Sequence, residues 1–190
     1  MLKKLIPDYY YNSIYDIPLE ELYNKGIRLI LTDMDNTLMS YKETEPDEKL
    51  FEFKKKVEDL GFEFILVSNS RKNRVDHFAS LYKIPYVKFS MKPLKRGIKK
   101  AINIVAKNRY KKNEIILLGD QLMTDILGAK RCKIKACLIE PIDKSTDIKS
   151  TRMNRNLERY FLKRLKKKYP KIYDERLKRF AGEAYDSKKM

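Results

Sequence analysis

The chain is read as an α/β protein built on a doubly wound parallel sheet, and three observations predict that class. Short apolar runs alternate with helix-length stretches from Gly26 to Glu140, the pattern of strands joined by right-handed helical crossovers. The run Ile115-Ile116-Leu117-Leu118 is apolar at every position, as expected of a strand buried on both faces. Short polar clusters follow three of the apolar runs, at the strand ends where open α/β sheets bind ligands.

Taken in order, residues 1–26 hold Tyr9, Tyr10, Tyr11 and Tyr15 with two prolines, and are expected to form an irregular leader docked on the core. Strand 27–33 rests on Ile27, Leu29, Ile30 and Leu31. A helix over about 46–60 is opened by Pro46 and closed by Gly61. Strand 62–67, a helix near 72–82, a short strand 86–89, a helix 93–108, strand 114–118, a helix 121–131 and strand 134–140 complete a core of residues 27–141. Beyond Pro141 the composition changes: residues 142–190 carry 16 Lys and Arg against 7 Asp and Glu. Met153, Leu157, Tyr160, Phe161, Leu165 and Tyr169 recur there at helical spacing as one apolar stripe, with a second short helix through 172–180. That basic helical extension suits either packing on the core or contact with a membrane surface.

Composition narrows the function. At 190 residues one domain with tails is expected, and no apolar run approaches the roughly 20 residues of a membrane span. The first residues lack the apolar stretch of about 7–15 residues that marks a secretory signal, so a cytoplasmic location is expected. Cys132 and Cys137 are too few for a disulfide framework and are read as small buried hydrophobes. His77 stands alone on a helix as ordinary surface, which disfavours zinc sets and histidine-based hydrolysis. A net charge of +17 calls for an anionic partner: nucleic acid, acidic lipid or a phosphorylated substrate.

The chemistry concentrates in Asp33-Met34-Asp35-Asn36-Thr37-Leu38. Strand side chains two apart share a face, so Asp33 and Asp35 can both border one crevice. Neighbouring carboxylates repel, and the pair asks for a hard divalent cation, a shared proton, or both. A carboxylate can also attack phosphorus to form an aspartyl phosphate. The plainer alternative is a strand ending in turn residues. Ser68-Asn69-Ser70 can hold phosphate oxygens or merely cap a helix. Lys92, before Pro93, can balance a phosphate or sit in solvent. In Gly119-Asp120-Gln121-Leu122-Met123-Thr124-Asp125 the glycine permits a tight turn and two acids can bracket a cation.

In their order and placement at successive strand ends, these stretches resemble the four motifs of the haloacid dehalogenase-type (HAD) phosphohydrolase superfamily. The resemblance implies a HAD-like Rossmannoid core with Asp33 as nucleophile and Asp35 as the acid and base. It implies Mg²⁺ held by the Asp33 carboxylate, the Asp35 backbone carbonyl and Asp120, supported from behind by Asp125. Ser68 and Lys92, with Asn69 as a helper, would bind the phosphoryl group. Members often carry a cap domain, but Leu38 lies only about ten residues before the next helix, and 23 residues separate Ser68 from Lys92. A capless core is expected, its open site suited to a phosphate on something large.

The segments Leu5-Ile6-Pro7-Asp8, Ser13-Ile14-Tyr15-Asp16-Ile17, Gly119 through Ile126 and Asn154-Arg155-Asn156-Leu157-Glu158 are similar to the YqeG-type branch of subfamily IIIA, over roughly residues 2–165. That branch is related to phosphatidylglycerophosphate phosphatases of phospholipid biosynthesis. It implies a Mg²⁺-dependent phosphatase of this lipid, and the missing cap, the basic stretch 152–169 and the aromatic leader add the expectation of peripheral contact with an anionic membrane at its inner face. Two alternatives stand beside it: a phosphatase of a soluble, nucleic-acid or protein phosphomonoester, and a non-catalytic basic module for RNA or a partner protein. Clustered, mutually repelling acids speak against the last, so nucleic acid is the disfavoured partner.

Overall fold

Six strands form one parallel sheet: β1 (Tyr9–Tyr11), β2 (Leu29–Thr32), β3 (Glu63–Val67), β4 (Tyr86–Val87), β5 (Ile115–Gly119) and β6 (Lys135–Ile139), in the order β1-β6-β5-β2-β3-β4. This computed structural model describes residues 2–71, 73–107 and 109–185. The helices are α1 (Leu19–Asn24), α2 (Glu48–Asp59), α3 (Asn73–Tyr82), α4 (Lys95–Ala106), α5 (Leu127–Cys132), α6 (Lys149–Lys168), α7 (Pro170–Arg176) and α8 (Lys178–Tyr185).

The apolar strands work as double-sided elements because successive side chains point to opposite faces. Ile115 and Leu117 of β5, with Leu29 and Leu31 of β2, join Ile98, Ala101, Leu162 and Leu165 in one core. Ile116, Leu118 and Ile30 join Phe53, Val57, Phe78 and Tyr82 in the other. α4 to α8 therefore cover one face, and α1 to α3 the other. The doubly wound parallel sheet is as expected. So is the absence of a cap: residues 40–47 form a plain connection to α2, and the described residues between Ser68 and Lys92 form only α3 and β4.

Several expectations are corrected. The leader is not wholly irregular: Tyr9, Tyr10 and Tyr11 pair with Cys137, Leu138 and Ile139 and add a strand at the sheet edge. Helix α2 starts after Asp47, whose carboxylate accepts the Leu50 N–H at 2.8 Å, so an acid and not Pro46 caps it. The stretch read as a helix from 121 opens as a π turn (Leu122–Ile126) before α5. The short helix placed at 172–180 is two, α7 and α8. The single stripe on the extension is divided. Leu165 is buried beside Leu162, with Phe161 and Tyr169 half-buried, whereas Met153, Leu157 and Tyr160 face away from the core. Both cysteines are buried and His77 is exposed.

Candidate active site

The site lies beyond the carboxyl ends of β2, β3 and β5, neighbours in the sheet. Strand β2 ends at Thr32, so Asp33 and Asp35 stand in the following turn and not on a strand. Asp33 is anchored by its N–H to the Leu118 carbonyl at 2.9 Å. Asn36 then takes a left-handed conformation (φ 59°), which asparagine tolerates better than most residues. The turn brings both acids to one cavity of about 520 Å³, lined also by Tyr41, Asn69, Ser70, Arg74, Lys92, Gln121, Arg131, Thr151 and Asn154.

In the cavity wall Lys92 Nζ lies 2.9 Å from Asp33 Oδ1 and 2.7 Å from Asp125 Oδ1. Its loop is held by Asn69, which donates to the Lys92 carbonyl at 3.0 Å and accepts the Lys92 N–H at 2.7 Å. Ser68 is buried, and its hydroxyl accepts the Ser70 N–H at 3.1 Å; Asn69 and Ser70, not Ser68, line the cavity. Asp35 is ion-paired with Arg74, which also donates to the Ser40 carbonyl at 2.6 Å and the Glu43 carbonyl at 2.9 Å.

Asp33, Asp120 and Asp125 each bring a carboxylate oxygen within 4.8 Å of the others. All three are buried, and Asp120 Oδ1 has no hydrogen-bond partner among the described residues. Burial pushes the Asp33 carboxyl up to about 7, with Lys92 pulling it back and Asp125 and Asp35 adding to the rise. Burial also lifts Asp120 well above the usual carboxylate range, against the pull of Arg155. Burial alone would lower Lys92, but Asp125 and Asp33 outweigh it and keep the ammonium charged. A pocket in which Asp33 and Asp120 resist ionisation and a buried Asp120 oxygen lacks a partner fits a small hard cation.

Gly119 serves a different need from the tight turn expected of it. A Cβ there would lie 2.3 Å from Asp125 Cγ, so the glycine lets Asp125 reach the cluster. Gly119→Ala is expected to keep the wild-type circular dichroism spectrum and to lose roughly 100-fold in phosphate-ester turnover, since displacements near 1 Å can cost that much. Turnover within threefold of wild type would show that the close approach is dispensable.

The sequence reading missed the part played by the extension. Arg155 of α6 pairs with the Asp120 carboxylate, donates to the Asp120 carbonyl at 2.7 Å, and reaches Asp147 at 3.2 Å and Glu158 at 3.4 Å. Asp147 accepts from Asn36 Nδ2 at 2.7 Å, and Glu158 accepts the Leu122 N–H at 2.6 Å. The extension is thereby wired to both acidic loops. The segment Asn154-Arg155-Asn156-Leu157-Glu158 was the one available signal, but a basic run ordinarily reads as solvated surface.

Comparison with known proteins agrees with this geometry. The family model described as mitochondrial PGP phosphatase matches residues 2–143. The chain is 33% identical over 169 residues to the Bacillus subtilis (strain 168) protein described as "Probable phosphatase YqeG", covering 88% of this chain and 96% of that one. Among solved structures, an uncharacterized protein from Listeria monocytogenes serotype 4b is 20% identical, with 65% of this chain and 83% of that chain covered at a TM-score of 0.49. A Legionella pneumophila chain described as a HAD superfamily (subfamily III A) hydrolase is 18% identical, with 54% and 59% covered at a TM-score of 0.42. Both scores are under 0.5, so the assignment rests on the family match and the Bacillus relative. With its acids at the carboxyl ends of a parallel sheet, the chain belongs to the PGP phosphatase family and is a YqeG-type phosphatase.

Proposed function

We propose that the chain is a Mg²⁺-dependent phosphomonoesterase that forms an aspartyl phosphate on Asp33 and dephosphorylates phosphatidylglycerophosphate at a membrane surface. The observation that carries the chemistry is the convergence of Asp33, Asp35, Asp120, Asp125 and Lys92 on one uncapped site. An Asp33 oxygen attacks phosphorus as the bond to the leaving oxygen breaks, and Asp35 passes a proton to that oxygen. Asp35 then accepts a proton from the water that attacks the aspartyl phosphate, which returns Asp33 and releases inorganic phosphate. Lys92, fixed by Asn69, faces the charge that develops on the phosphoryl oxygens, with Ser68 shaping the same loop. Asp33, Asp120 and the Asp35 carbonyl would hold Mg²⁺, with Asp125 in the same acidic cluster. When bound, the ion neutralises phosphoryl charge and keeps the surrounding carboxylates ionised.

The family's name and the uncapped site support a lipid phosphate as substrate. The basic extension supports peripheral contact with an anionic membrane from the cytoplasmic side. No helix among the described residues is long and apolar enough to cross a membrane. Phosphate release from phosphatidylglycerophosphate in vesicles, beside a soluble aryl phosphate, tests the reading. Turnover of the lipid should exceed that of the aryl ester, stop on chelation and return with Mg²⁺. Hydrolysis of the aryl ester alone would sink the lipid, and turnover unaffected by chelator would sink the ion.

A further inference from the structure

Helix α6 presents two unlike surfaces. Its inner side seats Leu162 and Leu165 in the core and buries Thr151 and Glu158. On the outer side Met153, Leu157 and Tyr160 follow one another at i, i+4 and i+7, which aligns them in one row. They are 70%, 43% and 51% exposed. Leaving such a row in water is unfavourable unless something covers it.

The charges around the row state what that cover is. Arg152, Lys163, Arg164, Lys166, Lys167 and Lys168 are exposed on the same helix. Its single acid, Glu158, is buried against Arg155. The exposed surface of α6 thus carries cations and apolar groups with no acid among them. Arg164 extends along Tyr160, donating to its hydroxyl at 2.8 Å, an arrangement in which a cation stays at the polar level while an aromatic ring enters. Ile148, Thr151 and Asn154, at the start of the same helix, line the cavity that holds Asp33 and Asp35, and Ile148 is exposed at its edge.

We propose that the outer face of α6 is a docking surface for an anionic lipid bilayer, with Met153, Leu157 and Tyr160 entering the headgroup region and the flanking Lys and Arg meeting lipid phosphates. An interfacial helix of this kind lies in the membrane plane and binds through buried apolar area together with charge. Because its first turn walls the active site, docking sets the cavity mouth beside the headgroups. The inference rests on the lipid-phosphate reading and adds the residues that bring enzyme to surface.

Co-sedimentation of the full chain with vesicles tests it. The wild type should pellet with phosphatidylglycerol vesicles, less so as salt rises, and remain in solution with pure phosphatidylcholine. Combined Met153→Gln, Leu157→Gln and Tyr160→Ser should weaken partitioning roughly tenfold or more while aryl phosphate turnover in solution is unchanged. The chain contains no tryptophan, so Leu157→Trp supplies a background-free reporter whose emission should move to shorter wavelength on phosphatidylglycerol vesicles. Partitioning of the triple variant like the wild type would overturn the proposal. So would an emission unmoved by vesicles that pellet the protein, or a wild type that ignores both vesicles and binds an RNA oligonucleotide instead. Phosphatidylglycerophosphate dispersed in detergent micelles requires no docking. Its hydrolysis, or failure to be hydrolysed, judges the substrate separately from the surface.

Discussion

Asp33→Asn is expected to lower aryl phosphate turnover by roughly 10⁴-fold or more, the scale seen when a nucleophile is removed from a catalytic unit. Asparagine keeps the shape of the side chain but cannot attack phosphorus to form the acyl phosphate. The same change should leave the protein folded and slightly more heat-stable, for a simple electrostatic reason. Asp33 shares a buried space with Asp35, Asp120 and Asp125, and burial with the neighbouring acids already disfavours its charge. Lys92 keeps its 2.7 Å partner Asp125 when Asp33 becomes neutral. Turnover and a thermal melt on the same preparation check both halves. Residual activity within tenfold of wild type would exclude Asp33 as the nucleophile.

Arg155→Met should have the largest effect on stability. The guanidinium faces Asp120, Asp147 and Glu158, each buried, and its loss leaves three carboxylates short of their cation. Removing one partner from a buried ion pair costs about 3–5 kcal/mol. In a chain of this size that corresponds to a fall in Tm of about 6–20 °C. The deficit should depend on pH, and Glu158 gives the sign. Burial raises its folded-state pKa despite Arg155 and the Leu122 N–H, so its charged form is the unfavourable one inside the fold. Such an acid takes away stability as pH climbs from the unfolded value of about 4.3 through the raised folded value. Without Arg155 that loss deepens, and the gap between variant and wild type should widen from pH 5 to pH 8. A variant melting within 2 °C of wild type at pH 8 would refute the idea that Arg155 holds the extension down. Arg155→Lys should recover part of the difference, because one ammonium can face only some of the three acids.

The sheet was legible because its strands are short, apolar and punctuated, and because two buried faces leave little choice of residue. Ile115 to Leu118 illustrate this. The acids were legible because charged residues directly after such strands have few plain structural uses. What escaped depended on partners distant in sequence. Tyr9 to Tyr11 form a strand only because β6 offers them an edge. The stripe on α6 divides because spacing shows which residues share a helix face, but not which face the sheet will cover. Arg155 looked like one cation among many in a basic run. Its significance comes from Asp120, 35 residues away in sequence and brought close by folding. Arg74 was hidden in the same way, since only the path of the loop after β2 shows that it meets Asp35.

Chain order gives the Arg155 contact a temporal side. Synthesis runs from the amino end, so β1 leaves the ribosome long before β6, the strand it pairs with. Asp120 likewise emerges 35 residues ahead of the cation that faces it. At about 5–20 residues per second, that interval is roughly 2–7 s. During it the nascent chain carries a cluster of acids and the inner half of a sheet without the helix that covers them. The contact that ties Asp120 to the extension can therefore form only once α6 has been made, so the last third of the chain completes a site whose acids are all laid down before it.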